Sequence, residues 1–216
     1  MIIDQKTYFK YFQCLLKGNR RECREIVLSL LENDVDIKSL YVDLFQRALY
    51  ETGELWAQNQ VSVAVEHMAT SITESLFPLV YPKIFMAEHT GGKAIISCVA
   101  NEFHQIGGKM VADILELNGW DTLFLGANTP LLDLMDLINE QQPDQVGLSL
   151  SLYSNLPYLL SIIDSIRERY PRLPLFVGGQ AFRFGGSEVL SRYEEVTQIN
   201  SLAELEKYIR RPEYVS

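Results

Sequence analysis

From residue 91 onward the chain alternates short apolar runs with amphipathic segments, and this rhythm restricts the fold more than any other feature. Lys93 to Val99 reads as a buried strand. Gly107 to Asn118 reads as a helix with Met110, Val111, Ile114 and Leu117 on one face. Thr122 to Leu125 is a strand, Leu131 to Gln141 a helix, and Val146 to Ser151 a strand, followed by a helix through Leu159, Ile163 and Ile166. Leu175 to Val177 is a short strand ending in Gly178-Gly179. A weaker strand, Val196 to Ile199, leads to a capping box, Ser201 to Glu204, and a last helix. Strands alternating with helices predict an α/β fold, a parallel, doubly wound sheet of about five strands.

The preceding part, residues 4 to about 85, follows a helical period throughout. Its stripes are Phe9, Phe12 and Leu16; Ile26, Val27, Leu30 and Leu31; Leu40, Leu44 and Ala48; and Val61, Val65, Met68 and Ile72. Breaks fall at Gly18-Asn19, Asn33-Asp34 and near Asn59, with Pro78 near the end of the fourth helix. Four helices with short connections predict an antiparallel four-helix bundle. The expected domains are 1–88 (bundle) and 89–216 (sheet), joined by a short linker around Glu88 to Gly92.

Composition removes several classes of function. No apolar stretch approaches ~20 residues, so no membrane span is expected, and Met-Ile-Ile-Asp-Gln-Lys does not open a secretory signal. Cys14, Cys23 and Cys98 lack metal-site spacing and read as reduced, buried thiols of a cytoplasmic protein. With Lys+Arg 19 against Asp+Glu 28, a net charge of −9 and no basic stripe, direct nucleic-acid binding is not expected.

In an open parallel sheet, ligands bind beyond the carboxyl ends of the strands at the topological switch point. For a flavodoxin-like (Rossmann-type) order that point lies between the first and third strands. The unusual residues collect at these ends: Asn101-Glu102-Phe103-His104-Gln105-Ile106-Gly107, then Gly126-Ala127-Asn128-Thr129-Pro130, Ser149-Leu150-Ser151 and Gly178-Gly179-Gln180. A nucleotide site is unsupported, since neither G-x-G-x-x-G nor G-x-x-x-x-G-K-[ST] occurs. Taken alone, a loop histidine near a glutamate is more often a hydrogen-bonded turn residue than a ligand, and paired glycines after a strand are common. Their placement on one sheet edge raises the functional reading.

Glu102-x-His104-x-x-Gly107, Gly126-x-x-Thr129, Ser149-x-Ser151 and Gly178-Gly179 together resemble the cobalamin (vitamin B12)-binding domain, whose usual motifs are D-x-H-x-x-G, S-x-L and GG. Glu102 stands where that family has Asp, and Ser151 where it has Leu. Gly53-Glu54-Leu55-Trp56 and Glu66-His67 are similar to the four-helix cap of the light-sensing, adenosylcobalamin-binding regulators. No segment resembles their DNA-binding domain. The resemblance implies that His104 is the lower axial ligand of cobalt, with Glu102 accepting a hydrogen bond from its other ring nitrogen. It implies that Ser149, Ser151, Gly178 and Gly179 line a slot for the displaced nucleotide tail, and that Trp56, Glu66 and His67 cover the upper face. His89 is read as a solvated loop residue.

This resemblance implies three candidate functions. The leading one is a cobalamin-binding sensor, light-responsive through adenosylcobalamin, that signals to a protein partner or through homo-oligomer rearrangement, as in transcription regulation. The second is a corrinoid carrier, a methyltransferase component using methylcobalamin, which would make the chain part of an enzyme. The third is a relative that binds haem or a bilin. Ala57 follows Trp56 where the light sensors have a histidine.

Overall fold

The computed structural model describes residues 3–89, 92–183, 185–193 and 195–210, and the chain divides into two compact units between Met86 and Ala87. The expected linker includes residues 90 and 91, which lie outside the described residues.

The first unit is helical, and its helix starts are written in short polar side chains. Asp4 caps α1 (Gln5–Leu16), accepting the Thr7 N–H at 2.9 Å. Asn19 caps α2 (Arg20–Glu32), accepting the Glu22 N–H at 3.2 Å. Asp36 does the same for α3 (Ile37–Ser39), at 2.9 Å from the Ser39 nitrogen. Each cap satisfies one of the N–H groups that a helix start leaves without a partner. The third helix does not stop at α3. It runs through a π-helical stretch, Leu40–Gln46, into α4 (Arg47–Ala57). Tyr41 and Phe45 of that stretch are buried and meet Phe77, with ring centroids 5.2 and 5.8 Å from it. Ser62 caps α5 (Val63–Glu74).

Two expectations for this unit are corrected. The buried stripe of α1 is Tyr8, Tyr11 and Leu15, whereas Phe9 is 54% exposed and Phe12 and Leu16 are half-buried. The helix is therefore rotated by about one position from the all-apolar reading, because tyrosine rings join the aromatic core in preference to Phe9. Pro78 lies beyond the fourth helix, in a separate 3-10 turn, Phe77–Leu79, that precedes α6 (Tyr81–Ile84).

The second unit is a five-stranded sheet, all parallel, in the order β2-β1-β3-β4-β5. Its strands are β1 (Lys93–Cys98), β2 (Asp121–Phe124), β3 (Gln145–Ser149), β4 (Leu175–Gly178) and β5 (Val196–Ile199). The helices are α7 (Ile106–Leu117), α8 (Leu131–Gln141), α9 (Leu156–Arg169), α10 (Ser187–Leu190) and α11 (Leu202–Ile209). One face of β3, through Val146 and Leu148 and continued by Leu150 just after it, packs with Leu134, Ile138, Leu159 and Ile163 of α8 and α9. The opposite face looks toward α7, where a side chain at Gly108 would touch Ser149 Cβ at 3.5 Å. The capping box holds in a shifted form. Ser201 Oγ accepts the Glu204 N–H at 3.1 Å, while Glu204 reaches back to the Asn200 N–H at 2.8 Å. The short α10 had no periodic signal in the sequence.

The strand register sets the position of the site. Cys98 pairs with Ser149 and Ser149 with Gly178, so β1, β3 and β4 end in one row. The chain leaves β1 toward β2 on one side, and β3 stands on the other, which opens a crevice between the loops after β1 and β3. No helix among the described residues is long and apolar enough to cross a membrane.

Candidate functional site

The crevice is organised around Glu102, whose side chain is fully buried in the loop between β1 and α7. One carboxylate oxygen, Oε1, accepts the His104 N–H at 3.0 Å and lies 2.7 Å from His104 Nδ1. The other, Oε2, accepts the N–H groups of Ser151 and Leu152, both at 2.9 Å, from the loop after β3. Asn155 Nδ2 donates to the Asn101 carbonyl at 3.1 Å and stands 3.5 Å from Oε2. Burial works to raise the pKa of this carboxyl, but the His104 ring and the N–H groups of Leu152, His104 and Ser151 hold it down to about 2. A buried carboxylate is tolerable only with such a set of donors.

The loop itself turns sharply. Asn101 has φ 62 and Asn128, in the loop after β2, has φ 52, conformations that asparagine accepts more readily than most residues. Asn101 N–H donates to Asn128 Oδ1 at 2.8 Å, and Asn128 N–H donates to the Glu102 carbonyl at 2.9 Å. The loops after β1, β2 and β3 are thus tied into one frame that carries His104.

The His104 side chain is 49% exposed. With Nδ1 facing a carboxylate that can only accept, the ring is set in the Nδ1–H tautomer, and Nε2 is the nitrogen that would meet a metal. Exposed apolar side chains stand in the same loops: Phe103 at 69%, Leu152 at 45% and Tyr153 at 50%. Ser149 is buried at the end of β3. The Cys98 thiol beside it is pushed up to about 12 by burial, with Glu102 adding to the shift, so it remains a thiol.

The remaining residues singled out by the sequence fall at several places in the fold. Gly107 opens α7 near Ser149, with Oγ 4.0 Å from where its side chain would begin. Gly126 gives its carbonyl to the Cys98 N–H at 3.1 Å, and Thr129 is buried in the same loop. Gly178 and Gly179 have a reason inside the fold. A side chain at Gly178 would stand 2.7 Å from the Ile199 carbonyl oxygen, and at Gly179, with φ 123, one would drive into the Leu150 carbonyl. Ser151 acts on Glu102 through its backbone N–H, a role its side chain does not reveal. In the first unit, Trp56 ends α4 and is 49% exposed. Glu66 lies in the first turn of α5, 3.2 Å from Thr70 Oγ1 and 3.7 Å from His67 Nε2. His89 is, as expected, an exposed loop residue, and its Nε2 lies 3.0 Å from Glu116 Oε2. Cys14 is half-buried, whereas Cys23 and Cys98 are buried.

This donor set has a chemical meaning. Among the described residues no cluster of three or more His, Cys, Asp or Glu can hold a metal ion. What the loops after β1 and β3 present is one oriented imidazole beside the exposed apolar side chains of Phe103, Leu152 and Tyr153. Residues 92–199 match the B12 binding domain family, and residues 8–80 match a second family described in the same words. The chain belongs to the B12-binding domain family. Over 125 residues it is 29% identical to the HTH-type transcriptional repressor CarA of Myxococcus xanthus, covering 57% of this chain and 43% of that protein. Over 136 residues it is 28% identical to CarH of the same organism, covering 62% and 45%. The chain thus spans less than half the length of these curated relatives. The Methanosarcina barkeri monomethylamine corrinoid protein has the same fold, with a TM-score of 0.83 at 15% identity over 95% of this chain and 98% of that one.

Proposed function

We propose that this chain binds cobalamin with His104 as the lower axial ligand and acts as a sensor that signals to a protein partner or a second copy of itself. The observation that carries the first half is the His104–Glu102 pair. A buried carboxylate held by N–H groups of two loops fixes one tautomer of a half-exposed imidazole, the outer-shell arrangement that orients a metal-binding histidine. Phe103, Leu152 and Tyr153 supply apolar contact around it, and Ser149, between Gly108 and Cys98, offers a hydroxyl toward the displaced nucleotide tail. Bound cobalamin supplies a photolabile or methyl-transferring cobalt–carbon bond, chemistry that belongs to the cofactor.

The sensor half rests on the likeness to CarA and CarH and on the exposed Trp56. A half-exposed indole near a helix end suits the flat adenine of an upper adenosyl group. Glu66 would accept hydrogen bonds from that group, and His67 would touch it. A second reading, the corrinoid carrier, is favoured by Ala57, which has no donor atom where the light sensors have a histidine. A signal would then come from losing adenosyl contacts to Trp56 and Glu66, since a ligand shifts an equilibrium only through unequal interactions with the two states.

One experiment tests both halves. Protein mixed with adenosylcobalamin in the dark and desalted should retain about one corrinoid per chain, because a single binding frame is present. Illumination should then change its oligomeric state, with water or His67 on the upper face. Retained corrinoid without a light-driven change in oligomeric state supports the carrier reading. Colourless protein, or retention of haem or a bilin in place of the corrinoid, overturns cobalamin binding.

A further inference from the structure

The orientation of His104 depends on the turn that precedes it. The Glu102 N–H closes a four-residue turn on the Val99 carbonyl at 3.1 Å, and Asn101, its third residue, has φ 62. The Asn101 N–H donates to Asn128 Oδ1, in the loop after β2, at 2.8 Å. Asn128 bonds the next residue as well, its own N–H donating to the Glu102 carbonyl at 2.9 Å. The side chain and the amide of Asn128 therefore grip two consecutive residues, the second of which carries the carboxylate that faces the His104 ring.

The grip is firm because Asn128 is held from both sides. Before it, the Gly126 carbonyl accepts the Cys98 N–H at 3.1 Å. After it, Thr129 is buried, and the Pro130 carbonyl accepts the Leu134 N–H at 3.1 Å in the first turn of α8. With φ 52, Asn128 also lies in the left-handed region, which asparagine and aspartate enter more readily than other residues with side chains. The position thus asks for two properties at once: an acceptor on a short side chain and tolerance of a positive φ. Glycine has only the second, and aspartate has both.

We propose that Asn128 is a positioning residue for the metal ligand. It sets the Asn101–Glu102 backbone, and Glu102 in turn sets the tautomer and orientation of the imidazole. Its effect on the ring follows from the loops alone, whereas its effect on the cofactor rests on the proposed ligation by His104.

Two substitutions in the full chain separate the properties that the position needs. Asn128→Gly leaves the backbone free to take the same φ and removes the acceptor, while Asn128→Asp keeps both. Asn128 is exposed, so both variants should keep the fold. In cofactor-free protein, the Asn101 amide should exchange about 2- to 10-fold faster in Asn128→Gly, the scale of one lost hydrogen bond. The nitrogen-15 shifts of the His104 ring should move from the Nδ1–H values toward the average of the two tautomers. Cobalamin affinity should fall by a similar factor, with a larger share of the bound corrinoid lacking the histidine-ligated spectrum. Asn128→Asp should match wild type in all three measurements. If wild-type protein retains no corrinoid, ligation by His104 fails, and the ring shifts alone decide the role of Asn128. Ring shifts in Asn128→Gly equal to those of wild type would overturn that role, as would an Asn128→Asp variant as disturbed as Asn128→Gly.

Discussion

Replacing His104 with alanine should abolish stable cobalamin retention while leaving the fold intact. The side chain is half-exposed and its loop is held by backbone bonds that alanine keeps: the residue-104 N–H still reaches Glu102, and Glu102 still accepts from Ser151 and Leu152. The stability change should be that of the one bond lost, from the His104 ring to the buried Glu102 carboxylate, about 1.5–3 kcal/mol for a hydrogen bond to a charged group. The loss of affinity should exceed the roughly 10–100-fold typical of removing an outer-shell partner, because the ligand itself is gone. Any corrinoid that still binds should show the spectrum of a cofactor without a protein imidazole. Unfolding curves and equilibrium dialysis of the same preparation separate the two effects.

Glu102→Gln should do the reverse in kind: a large loss of stability with a smaller loss of affinity. The carboxylate accepts from three backbone N–H groups and faces the His104 ring. An amide in its place turns an NH2 toward at least one of these donors. The fall of its pKa from the ordinary 4.5 to about 2 corresponds to about 3 kcal/mol of folding free energy. For a carboxyl whose folded pKa is depressed, that contribution is complete above 4.5. It is lost as the pH falls from 4.5 through about 2, because protonation is then easier in the unfolded chain. Urea unfolding of cofactor-free wild type should therefore show stability declining across this acid window. Glu102→Gln should start about 3 kcal/mol lower at neutral pH and show a shallower acid dependence. Cobalamin affinity should drop roughly 10–100-fold, since His104 remains but its tautomer is no longer fixed. Identical acid profiles for the two proteins would mean that the carboxylate does not strut the two loops.

The order of strands and helices was legible because burial imposes period on sequence. Lys93 to Val99 and Leu131 to Gln141 announce themselves, and the fold rule for open sheets then points to the loops after β1 and β3. Less local facts were not legible. Glu102 lies far along the chain from Ser151 and Leu152, and the groups it binds there are backbone N–H groups, which every residue but proline carries. No side-chain pattern could show that Ser151 matters through its amide. The Asn101–Asn128 tie depends on two left-handed backbone turns, and Asn155 on a single buried contact; asparagine in a loop carries no such signal by itself. Phe9 misled for another reason: hydrophobicity ranks it above Tyr8 and Tyr11, yet core geometry favours the tyrosine rings. The π-helical stretch from Leu40 to Gln46 keeps an apolar period that looks α-helical. Gly178 and Gly179 were legible as special positions, but the close approach of the Ile199 and Leu150 carbonyls accounts for them within the fold.

The central claim is that His104 of this chain replaces the cofactor's own base on cobalt. It is tested most directly by electron paramagnetic resonance of cob(II)alamin bound to protein made with nitrogen-15 histidine. A nitrogen-14 axial ligand splits each cobalt line into a triplet, and a nitrogen-15 ligand splits it into a doublet. The account predicts a triplet in unlabelled protein, a doublet in the labelled protein, and no doublet in labelled His104→Ala. A triplet that persists after labelling would show that the dimethylbenzimidazole still holds the lower position, and a doublet that survives His104→Ala would assign the ligand to His67 or His89. Either result would contradict His104 as the lower ligand.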